Sequence, residues 1–105
     1  MTEQQTELEV SYRLSQTIAD AIDSFCRSDP QAGVLTPGLV MGAMAVQIAN
    51  LALVIPTKQE AMDRVPAAVA MTVRDLLNTT PDAFFNSNEY GLRPDPEPAP
   101  DAPDT

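Results

Sequence analysis

From Thr36 to Pro56 the chain reads TPGLVMGAMAVQIANLALVIP, and between its two prolines only Gln47 and Asn50 are polar and nothing is charged. Such a run must be enclosed, either by lipid or by protein. As a helix, the stretch from Gly38 to Ile55 would be about 27 Å long at ~1.5 Å per residue, near the ~30 Å of a bilayer's hydrocarbon layer. Four features oppose a span. Gln47 and Asn50 would each leave an amide unpaired at a cost on the order of 2–7 kcal/mol. Alanine and glycine make up much of the segment, no Trp or Tyr flanks it, and Arg27, Lys58 and Arg64 give no one-sided basic bias. The expectation is a helix surrounded by protein, with a single-span membrane protein as an alternative.

The helical wheel sharpens this reading. Gly38, Gly42, Ala45, Ala49 and Ala52 follow a 4-3-4-3 spacing and align as a seam of small residues on which another helix can lie close. Met41, Met44, Ile48, Leu51 and Ile55 form a bulky ridge on one side of the seam, and Leu39, Val46 and Leu53 form another. Gln47 and Asn50 share the opposite face, as a candidate buried polar pair that sets helix register or holds a ligand, or as the one edge that meets water. The candidate interface is therefore Gly38, Met41, Gly42, Ala45, Ile48, Ala49 and Ala52.

The flanking segments are amphipathic. Between Thr6 and Ser28, Val10, Leu14, Ile18, Ala21, Ile22 and Phe25 recur at steps of three and four, with Glu9, Arg13, Gln16, Asp20, Asp23 and Arg27 opposite them. SDPQAG ends this helix, since Pro30 disfavours helix before it and Gly33 turns readily. Thr36 then serves as N-cap of the second helix, Pro37 as its first residue and Leu35 as a staple against Val40. In the third helix Thr57 and Glu60 have capping-box spacing, Met62, Val65, Val69, Val73 and Leu76 form the apolar face, and Glu60 and Arg64 are placed to pair. Because the apolar phase runs unbroken through Pro66, that residue predicts a kink and not a stop. NTTPDAFF repeats a start signal, with Thr80 as N-cap and Pro81 first, and predicts one or two turns carrying Phe84 and Phe85. Phe84, Phe85 and Tyr90 are candidates to plug the end of the bundle or to anchor a partner. No strand pattern and no internal repeat is present. The prediction is an all-α fold, a three-helix antiparallel bundle with a short fourth C-terminal helix, its central helix apolar all round. Residues 1–92 form the domain, and the proline-rich stretch 93–105 a disordered acidic tail.

Composition limits function. With 105 residues, 44% of them hydrophobic, the chain has room for one small domain. A chain of that size cannot cover a central helix that is apolar all round, so it is expected to associate, most economically as a two-fold homodimer in which the second helices and the alanine- and methionine-bearing parts of the third meet, although a different protein partner would serve physically. The net charge of −9 opposes direct nucleic-acid binding. The absence of histidine removes the commonest general base and the His-containing nucleophile and metal arrangements, and no cofactor or metal is expected. Asp20 and Asp23 are read as part of a solvated face, Cys26 as a small hydrophobe, and the G-x-x-x-G of Gly38 and Gly42 as a helix-packing spacing, not a phosphate loop. One cysteine forms no intramolecular disulfide, and MTEQQTELEV lacks the basic and apolar regions of a secretory signal, so the expected location is cytoplasmic. The function expected is a non-enzymatic protein–protein interaction or regulatory module. The alternatives are an acidic inhibitor that imitates nucleic acid, the membrane-associated protein above, and an enzyme that uses carboxylates alone.

Overall fold

The computed structural model describes residues 2–96. Among them there are three α-helices and no strand: α1 Glu3–Ser28, α2 Pro37–Ala52 and α3 Lys58–Thr79. Single 3₁₀ turns stand at Ala32–Val34 and Asp82–Phe84. The residues gather into two compact units. One is built from α1, the linker after it and the segment that begins at Asn88, and the other runs Gly38–Ser87.

In the first unit α1 starts earlier than its apolar periodicity predicts, because Thr2 and Gln5 close a capping box. The Thr2 hydroxyl accepts from the Gln5 backbone N–H at 3.1 Å, and the Gln5 side-chain oxygen accepts from the Thr2 N–H at 2.9 Å. At the other end Arg27 pairs with Asp23 at 3.0 Å, one turn back and near the negative pole of the helix. The Asp29 N–H closes the last turn on the Phe25 carbonyl at 3.0 Å, and its carboxylate accepts from the Gln31 N–H at 2.8 Å. These bonds end the helix where SDPQAG predicts.

The segment after Asn88 is tied to this linker. The Asn88 side chain holds Leu92 from both sides, accepting from its N–H at 2.8 Å and donating to its carbonyl at 2.7 Å, while Gly91 takes φ 66° to close the loop. The next residue, Arg93, donates its N–H to the Leu35 carbonyl at 2.9 Å. Thr36, beside Leu35, is 8% exposed and is the one buried residue among those described. Residues 93–96 have no regular secondary structure, and the rest of the predicted tail lies outside the described residues.

α2 starts at Pro37, the last residue of the first unit's linker, as predicted, since the missing N–H of proline costs nothing in a first turn, and the rest of the helix belongs to the second unit. Its other end comes earlier than Pro56 alone implies. The N–H groups of Leu53, Val54 and Ile55 bond three residues back, to Asn50, Leu51 and Ala52, so the last turn tightens and the α-helix stops at Ala52. At sixteen residues α2 is about 24 Å long. Among the described residues no helix is long and apolar enough to cross a membrane.

α3 opens on Thr57, whose hydroxyl accepts from the Glu60 N–H at 3.1 Å, and Glu60 in turn pairs with Arg64 at 3.6 Å. The helix passes through Pro66 without stopping and runs to Thr79. Removing the cap with Thr57→Ala is expected to cost about 1 kcal/mol. Urea unfolding followed by circular dichroism measures it, and an unchanged midpoint would show that the cap contributes nothing.

The predicted fourth helix reduces to the 3₁₀ turn Asp82–Phe84. The reason is where the Thr80 hydroxyl goes. It donates backward to the Leu76 carbonyl at 2.7 Å, finishing α3, so no side chain caps the 3₁₀ turn. Asn86, at φ 65°, then redirects the chain, in the left-handed region that asparagine tolerates better than most residues.

Candidate functional site

The second unit contains an apolar groove of about 790 Å³. It arises from a short connection between two helices whose apolar faces point toward each other. Ala45, Ile48, Ala49 and Ala52 of α2 form one wall; Ala61, Val65, Pro66 and Val69 of α3 form the other; and Leu53, Ile55 and Thr57 close the end. Lys58 and Thr57 are the only polar residues among those lining it, and both stand at the closed end. Ile48, Ala52, Ile55, Ala61, Val65 and Val69 are half-buried, whereas Leu39, Met41, Val46, Leu51, Met62, Met71 and Val73 stay exposed.

Pro66 gives the α3 wall a particular character. With no N–H, it cannot complete the bond that the Met62 carbonyl would otherwise receive from four residues on. Met62 also lines the groove. The helix is thus weakest in its backbone ladder beside the apolar surface.

The candidate residues read from the sequence divide in two. Ala45, Ile48, Ala49 and Ala52 line the groove; Gly38, Met41 and Gly42 lie on the N-terminal part of α2, outside it. A Cβ added to Gly42 would meet nothing within 4 Å, so no neighbour within the chain requires a glycine there. Gln47 and Asn50 are exposed on α2 and do not line the groove. Phe84 is 65% and Phe85 50% exposed, and Tyr90 is half-buried in the other unit. The α3 wall falls in the alanine- and methionine-bearing part of the third helix, which is expected from sequence at the dimer interface without its residues being named; Ala61, Met62, Val65, Val69 and Ala70 are those that line the groove.

The first unit also exposes an apolar face. Leu14 of α1 is 60% exposed, Phe25 47% and Val10 46%. No hydrophobic residue among those described is buried. Of the groups considered for chemistry, Asp23 is engaged by Arg27 and Cys26 is a half-buried free thiol. Among the described residues no three His, Cys, Asp or Glu side chains gather as ligands for a metal. No protein-family model, no curated protein and no solved structure matches this chain.

Proposed function

We propose that the protein is a non-enzymatic helical interaction module that works as a homo-oligomer, most simply a dimer, and that association completes the antiparallel helical bundle expected from its sequence. The observation that carries this reading is the exposure of α2. Within a helix that has no charged residue, Leu39 is 54% exposed, Met41 61%, Val46 57% and Leu51 71%. Isolated exposed apolar residues are normal on proteins, but a helix that exposes them on both of its bulky ridges, with no charged residue between, marks an interaction site. Fully burying a Leu, Met or Val side chain is worth roughly 1.5–3 kcal/mol, and the exposed half or more of each of these four is what association has left to recover.

Light scattering coupled to size exclusion tests it. The expected mass at micromolar concentration is twice the 11.3 kDa of one chain, and a single-chain mass throughout would overturn the reading. Removing the residues after Arg93 is expected to leave that mass ratio at two, because the segment carries Asp95, Glu97, Asp101 and Asp104 and no large apolar side chain to contribute. A truncated chain that runs as a monomer would assign the association to the tail instead.

A further inference from the structure

We propose that the self-association surface is the hairpin of α2 and α3, each copy laying its α2 in the groove of the other so that two hairpins form a two-fold layer of four helices. This rests on the homo-oligomer reading above and says which surface serves it. Charge selects the surface first. Gly38–Ser87 carries Lys58, Arg64 and Arg74 against Glu60, Asp63, Asp75 and Asp82, one net negative charge of the chain's nine, so eight lie elsewhere. Two copies that meet through the hairpin bring together nearly neutral segments, whereas the rest of the chain brings its eight negative charges with it.

Area selects the occupant. α2 and α3 of one copy do not pack side by side; the groove separates them, so α2 has no closely packed helical neighbour of its own. Reciprocal exchange gives it two, the second copy's α2 and the second copy's α3. That makes three helix–helix contacts in the pair, and at ~10 Å by ~24 Å on each side they cover about 1,400 Å², above the ~1,000 Å² at which a specific interface becomes plausible. One foreign helix laid in the groove makes two such contacts and gives α2 a single neighbour, which suits a helix that is apolar all round less well. The seam of Ala45, Ala49 and Ala52 permits the close approach. Ala45 stands at the middle of α2, so in a two-fold pair it lies nearest the axis and faces its own counterpart.

Two variants of the full chain test the assignment. Ala49→Glu places an unpaired carboxylate in the interface and is expected to raise the dimer Kd about a hundredfold or more. Because that variant is also at risk of misfolding, Ala45→Cys in a Cys26→Ser background provides a second measure. Under oxidised glutathione it is expected to convert the protein to a covalent dimer, while Gln16→Cys on the polar face of α1, in the same background, is not. A dimer that survives Ala49→Glu, with Ala45→Cys crosslinking no better than Gln16→Cys, overturns this surface but leaves the homo-oligomer reading intact. A parent chain that is monomeric by light scattering overturns both.

Discussion

A thousandfold dilution is expected to lower the melting temperature of this protein by about 10 °C. In a single copy the described residues include no buried hydrophobic side chain, and Thr36 alone falls into the buried class. Hydrophobic burial is the main favourable term in folding, and half-exposed side chains recover only part of the ~1.5–3 kcal/mol each can supply. Fixing each residue's backbone costs about 1–2 kcal/mol, so such a chain has little stability of its own and its folding is coupled to association. Each tenfold dilution then removes about 1.4 kcal/mol per dimer. With an unfolding entropy of ~2.1 cal/mol/K per residue over two chains, that corresponds to about 3 °C per decade. Circular dichroism melts over a concentration series measure the slope. A cooperative transition whose midpoint ignores concentration would mean that one copy folds by itself, and the oligomer would lose its physical basis.

The helices were legible in the sequence where local chemistry decides them. Pro37 marks the start of α2, and Thr57 with Glu60 marks that of α3, because a first-turn proline and an N-cap hydroxyl act within four residues. The unbroken apolar phase across Pro66 similarly foretold that α3 would continue. Misreadings arose where one group had two local partners to choose from. Thr80 looks like a cap for the turn at Asp82, yet its hydroxyl goes back to Leu76. Thr2 and Gln5 form a capping box that hydrophobic periodicity, starting at Val10, does not register.

The groove was half legible for a different reason. Spacing identifies the face that Ala45, Ile48, Ala49 and Ala52 share, but it does not identify what lies opposite, and the α3 wall depends on how the turn from Leu53 to Thr57 sets the two helices. Periodicity reports that a face is apolar; only geometry reports whether the same chain covers it. Here it leaves a groove of about 790 Å³ open.

That groove makes Pro66 the most informative single residue of α3. Replacing it by alanine is expected to stabilise the protein by about 2 kcal/mol per chain. In a helix interior proline is about 3 kcal/mol less favourable than alanine, since it withholds an N–H and its ring meets the carbonyl four residues back. Against that gain stands the loss of the ring's methylenes from the groove wall, at ~0.8 kcal/mol for each one buried, and Pro66 is exposed in one copy. The helix term therefore wins. Urea unfolding should show a higher midpoint with an unchanged slope. If Pro66→Ala lowers the midpoint instead, the ring of Pro66 must shape the α3 wall for whatever lies in the groove, by more than the restored bond to Met62 is worth. Measuring the variant's dimer Kd beside its midpoint separates these contributions: because folding and association are coupled, a gain in the helix alone lowers the apparent Kd, and a reshaped wall raises it.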